Sequence, residues 1–83
     1  MPTIFRIGAA RVVIYLNDHQ PAHVHVLDGK QHAIFNLHCP AGPPTLQKNH
    51  GFSHVDANTF ARRMQNVVGS LCTEWKTLHD CFC

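Results

Sequence analysis

The sequence predicts an α+β domain: a three-stranded antiparallel β-meander packed against one long C-terminal α-helix, with Thr3–Ile7 as a candidate fourth strand. Three observations predict it. Residues 11–16 are rich in β-branched and aromatic side chains, and residues 23–27 alternate apolar with polar ones. Asp28-Gly29 separates this stretch from the apolar-rich residues 31–37, where a hairpin turn belongs. From residue 53 onward the apolar positions change to helical spacing. At 83 residues the chain reads as one domain, divided into a meander over 3–37, a loop over 38–52 and a helix over 53–82.

Arg11-Val12-Val13-Ile14-Tyr15-Leu16 reads as the first strand of the meander, and Asn17 to Pro21 as turn chemistry. His23-Val24-His25-Val26-Leu27 alternates as a half-buried strand should. A type I′ turn at Asp28-Gly29 pairs Leu27 with Lys30, His25 with His32 and His23 with Ile34. That register collects Val24, Val26, Ala33, Phe35 and Leu37 on one face, and His23, His25, Lys30, His32 and Ile34 on the other. Residues 38–50 include Pro40, Gly42, Pro43 and Pro44 and read as a loop.

Ser53 is a suitable N-cap, and Asp56 in the first turn complements the helix dipole. The apolar positions from Ala57 through Phe60, Met64, Val68, Leu71, Trp75 and Leu78 to Phe82 lie within about 80° of one line. Such a helix is roughly 40 Å long, against about 20 Å for a six-residue strand. Either it breaks near Gly69-Ser70, or Leu71, Trp75, Leu78 and Phe82 overhang the sheet as an apolar patch. The overhang predicts an oligomer interface: a homodimer or a small partner protein. A chain this short, burying roughly 60–65% of its unfolded surface, often gains stability from such a partner.

Seven Lys and Arg against five Asp and Glu give a mild balance, which does not demand nucleic acid or an anionic membrane. No apolar run approaches the ~18–20 residues that span a bilayer, and Met1 to Arg6 lack the pattern of a signal peptide. The expectation is a cytoplasmic protein with no membrane association, whose four cysteines are reduced thiols. No Cys-x-x-Cys pair indicates a structural zinc site, and Cys81-Phe82-Cys83 reads as a frayed tail.

The segment from Asn17 to Val26 holds the chemistry, with three histidines, an aspartate and a proline turn. Asn17, Asp18, His19, His23 and His25, with Arg11, form the candidate binding surface. His23 and His25 project to one strand face about 6.8 Å apart along the chain. With His19, and with Asp18 or His32 as a further ligand, they could converge on Zn. The bland alternative is a polar face of hydrogen-bonded histidines, with Asp18 capping the turn. The same histidines are candidate acid–base residues for phosphodiester cleavage, with Arg6, Arg11 and Lys30 supplying charge. Pro2 would become an N-terminal secondary amine, as in the tautomerases that the opening Met-Pro-Thr-Ile resembles, but a hairpin follows it here in place of their helix. Arg62-Arg63 with Lys48 and the loop histidines could meet nucleic acid or an acidic partner, although paired helix arginines are usually a solvated face. His79 is the ionisable group on the apolar stripe.

Met1 to Ile4, Arg11, Tyr15, Asn17, Asp18, His19, Pro21, His23 and His25 follow one another in an order that continues through Asn49-x-Gly51-Phe52-Ser53 to Trp75. In this the chain resembles a family of short bacterial proteins classed as a domain of unknown function. The resemblance implies a small α+β domain. It also implies a setting beside a second small gene, since some members are described as toxin–antitoxin components. It departs at Ala22, where the family has a second proline, and His32, His38, His50, His54 and the Cys81-Phe82-Cys83 ending lie outside its pattern. The combined reading is a small cytoplasmic interaction module in a toxin–antitoxin-like pair, acting through a protein partner, with nucleic acid as a further candidate target. The rival is a histidine-dependent, metal-assisted, nuclease-like enzyme using His19, His23 and His25.

Overall fold

A computed structural model of the protein describes residues 3–15, 19 and 21–78. Five strands form one antiparallel sheet in chain order: β1 (Thr3–Ile7), β2 (Ala10–Val13), β3 (His23–Asp28), β4 (Gln31–Asn36) and β5 (Thr45–His50). Two helices follow, α1 (His54–Gln65) and α2 (Val68–Leu78). The α+β class and the antiparallel sheet are as expected, and Thr3–Ile7 is indeed a strand. Two features differ: a fifth strand lies inside the expected loop, and the single helix is two.

The β3–β4 hairpin closes at Asp28↔Gln31, so Gly29 and Lys30 are the turn residues. Gly29 has φ 60°, while Lys30 is not among the positive-φ residues. That is the pattern of a type II′ turn, with glycine at its first central position, and not the expected type I′. Asp28 therefore stays in the strand. The register becomes Leu27↔His32, His25↔Ile34 and His23↔Asn36, each histidine facing a partner two residues beyond the expected one. A shift of two leaves side chains on the same face, so the division of the hairpin into two faces holds.

β5 was hidden because Thr45-Leu46-Gln47-Lys48-Asn49-His50 is exposed throughout and has no apolar alternation. It is an edge strand held by pairing with β4, from His32↔His50 to Asn36↔Thr45, with an irregularity at Ile34/Phe35. Its exit is clamped. Asn49 donates from Nδ2 to the Phe52 carbonyl at 2.9 Å and accepts from the Phe52 N–H at 3.1 Å. Gly51 between them has φ 100°, and a Cβ there would sit 3.0 Å from Gln31 Cγ. Ser53 then caps α1, accepting from the Asp56 N–H at 3.0 Å.

The core lies between one sheet face and the helices. Val12, Val24, Val26, Ala33, Phe35 and Leu37 meet Phe52, Ala57, Phe60, Met64, Val68, Leu71 and Trp75 there. The chain breaks its helix at Asn66-Val67, not near Gly69-Ser70, which lie within α2. The buried spacing Met64, Val68, Leu71, Trp75 runs through the break in helical steps, which is why the sequence reads as one helix. The expected overhang does not form, because the apolar stripe of α2 belongs to the same core cluster as the sheet residues. Leu71 and Trp75 are 3% and 4% exposed within the chain's own core, and Leu78 is partly buried against it. Phe82, like Pro2, Asn17, Asp18, His79, Cys81 and Cys83, lies outside the described residues.

The expectation of reduced thiols is also corrected. Cys39, at the start of the loop after β4, is disulfide-bonded to Cys72 of α2, with Cα atoms 5.8 Å apart. Their separation of 33 residues leaves no local signal of the pairing. Among the described residues, no helix is long and apolar enough to cross a membrane.

Candidate functional site: a histidine-centred sheet face

The sheet face turned away from the helices is built from the other alternate residues of the same strands. By register it carries Arg6 and Arg11, which face each other across β1 and β2, and Val13 opposite His25. It carries His23, His25 and Leu27 on β3, His32 and Ile34 on β4, and Lys48 and His50 on β5. His25 is at its centre and is buried at 8% exposure.

Three rings surround His25. The Tyr15 ring lies edge-on at 4.5 Å between centroids, and His23 lies edge-on at 5.3 Å. His32 stacks at 5.2 Å with the planes 24° apart. His25 Nδ1 and His32 Nε2 are 3.0 Å apart. This hydrogen bond needs a donor on one ring and a lone pair on the other, so at least one of the two imidazoles is neutral while it stands. His25 and His32 are diagonal, not direct, cross-strand neighbours, a spacing that long ring side chains can still bridge. His23 donates from Nδ1 to the Pro21 carbonyl at 2.8 Å, which fixes its ring against the start of β3.

The structure thus brings together His23, His25 and His32, with Arg11 half-buried on the neighbouring strand. His19 is exposed on the connection between β2 and β3. Among the described residues, no three His, Cys, Asp or Glu side chains are grouped so as to hold a metal ion. Arg62 and Arg63 are exposed in the last turn of α1. Sequence reasoning missed His50, which pairs directly with His32, and the place of Lys48 on this face. It also missed Tyr15 as a ring partner. The positions on β5 carry no sequence signal, because the strand is exposed throughout and has no apolar alternation. Tyr15 was legible as a strand aromatic but not as a neighbour of His25, which depends on the β2–β3 pairing.

The exposed cations Arg6 and Lys48 flank the rings from opposite edges of the sheet. The described residues that share this face include no carboxylate, because Asp28 falls on the other side of the strand alternation. A rigid ring cluster between cations can recognise an acidic, partly apolar surface, or present an imidazole pair to a substrate.

Fold and face together define a small α+β domain with a sheet layer, a helix layer and one polar, ring-bearing sheet surface. The family profile described as domain of unknown function (DUF4160) matches residues 10–76, and the chain belongs to that family. Comparison with curated proteins finds no match, and comparison with solved structures finds none.

Proposed function

We propose that this protein is a small interaction module, one member of a toxin–antitoxin-like pair, and that it engages an acidic protein partner through the histidine-centred face. The observation that carries the reading is the arrangement of that face. His25 is held rigid by Tyr15, His23 and His32, and cations flank it without carboxylates among the described residues. Pre-positioned aromatic anchors with arginine at the rim are the usual makings of a binding hot spot. The paired setting rests on the family resemblance drawn from residues 1–25 and 49–75.

The test is co-purification of the untagged protein with the product of the neighbouring small gene. A stoichiometric complex is expected, weakened at least about tenfold by His25→Ala or by Arg11→Glu. A complex indifferent to both changes sinks this face as the interface. A homodimer would show instead as a doubled mass without any partner.

A second reading is favoured by one observation, the His25–His32 hydrogen bond at 3.0 Å. Two imidazoles in contact, one able to accept and one to donate, can act as base and acid on a phosphodiester, with or without Zn. An enzyme of this kind loses nearly all RNA or DNA cleavage with either His→Ala change while keeping its fold, whereas an interaction module has no cleavage to lose.

A further inference from the structure

The sheet ends in two unlike edges. At one, β1 keeps Ile4 and Phe5 partly buried against the core. At the other, all six residues of β5 are exposed, and among the described residues β4 is the only strand that pairs with it. An unpaired edge offers a row of backbone N–H and C=O groups that another strand can take up. α1 braces β5 from the helix side. It starts soon after β5 ends, and its last residue, Gln65, donates to the Ala41 carbonyl at 3.1 Å, shortly before β5 begins. With the Asn49–Phe52 clamp at the exit, the edge is preformed.

The side chains of β5 select the kind of strand that fits. Leu46 shares the helix side of the sheet with its partner Phe35 and is left 43% exposed. Lys48 and His50 lie on the ring side, opposite Ile34 and His32. The irregularity at Ile34/Phe35 sets Leu46 and Lys48 opposite adjacent residues of β4. A strand paired outside β5 in the same way has an apolar position next to one that meets a cation. β5 itself has no carboxylate. A second copy in full antiparallel overlap would bring two Lys48 ammonium groups together with nothing to neutralise them. Lysine and local irregularity are the devices by which edges refuse copies of themselves, and they still admit a strand of opposite charge.

Resting on the acidic-partner reading, we propose that β5 is completed by an extended acidic segment of the protein partner, added antiparallel as a sixth strand. Its carboxylates meet His50 and Lys48, and its apolar side chain covers Leu46. In chain order the segment reads acidic, any residue, acidic, apolar. Lys48 and His50 belong to both the edge and the ring face, so one partner can engage the two together.

The probe is an end-capped, fluorescein-labelled peptide, Thr-Glu-Val-Glu-Leu-Thr-Val, titrated against the full chain by fluorescence anisotropy. A Kd of about 100 μM is expected. Replacing both Glu by Gln should weaken binding at least about threefold. Lys48→Glu, at an exposed position, should weaken the acidic peptide about tenfold, and a peptide with Lys in place of Glu should prefer that variant to the parent. Backbone N-methylation decides whether the peptide binds as a strand. Single N-methyl groups walked along it should alternate in effect: those turned toward β5 cost at least about tenfold, and those turned away change little. A flat response along the peptide, or no binding up to about 2 mM, overturns the proposal. So does a doubled mass with the β5 amides newly protected from exchange, which makes the occupant a second copy. A short oligoribonucleotide that displaces the peptide at lower concentration overturns it in favour of nucleic acid. A complex weakened by His25→Ala with no peptide bound removes only the edge. A bound peptide with a complex indifferent to His25→Ala and Arg11→Glu removes only the ring face.

Discussion

On the helix side of the sheet, Val12, Val24, Val26, Ala33 and Phe35 are at most 1% exposed and pack in the apolar cluster. One residue along each strand, on the opposite side, His25 is buried almost as deeply but meets Tyr15, His23 and His32. The two faces share strands, register and backbone hydrogen bonds. They differ in what satisfies them. An apolar side chain needs only area and fit, so the helix face is held by burial and close packing. A buried imidazole needs a partner for its polar atoms, so the other face is held by specific ring and hydrogen-bond geometry. The first face carries stability, and the second trades some of it for a defined polar surface.

The comparison breaks or sharpens under changes on each side of the sheet. Phe35→Ala should have the largest effect, costing about 3–5 kcal/mol in urea unfolding, because it opens a cavity in the dry face. Partner binding per folded molecule should be unchanged, and a loss of binding in the surviving folded fraction would mean that the two faces are not separable. Cys39→Ser should follow at about 2–4 kcal/mol, since the bridge closes a loop of 33 residues in the unfolded chain. An oxidised-versus-reduced comparison of the parent protein should reproduce that difference, and equal midpoints would show that the helix layer holds without its covalent tie.

On the ring face, His25→Ala should cost about 1–3 kcal/mol, less than Phe35→Ala, because it strands the His32 nitrogen and removes a ring contact. A double-mutant cycle with His32→Ala should give a coupling of about 0.5–3 kcal/mol. Zero coupling would reduce the pair to coincidental neighbours. The smallest stability effects belong to Arg6→Ala and Lys48→Ala, within about 0.5 kcal/mol, as both side chains are exposed. Their signature should be a slower, less salt-sensitive partner association measured by stopped flow.

Much of the helix face was legible before the structure. Val24, Val26, Ala33, Phe35 and Leu37 sort to one side by parity alone, so even an error of two in the hairpin register left them in place. Ser53 and Asp56 marked the start of α1 through a capping bond that needs only four consecutive residues. The ring face was legible in part. His23 and His25 share a face by the same parity, but the contact of His25 with His32 is diagonal and depends on which residues form the turn. His50 and Lys48 were out of reach, because an exposed edge strand has no apolar face to produce a period.

What the sequence by itself determined is therefore local and periodic: strand parity, the hairpin, the capped helix start and the apolar stripe that continues from α1 into α2. These follow from geometries that repeat every two or 3.6 residues, and neighbouring side chains suffice to reveal them. Only the tertiary structure decided that β5 pairs with β4, that the helix breaks at Asn66-Val67, and that Cys39 reaches Cys72. Each of these joins segments through space. The deciding quantity is which partner surface remains uncovered once the core has closed, and no window of sequence contains it.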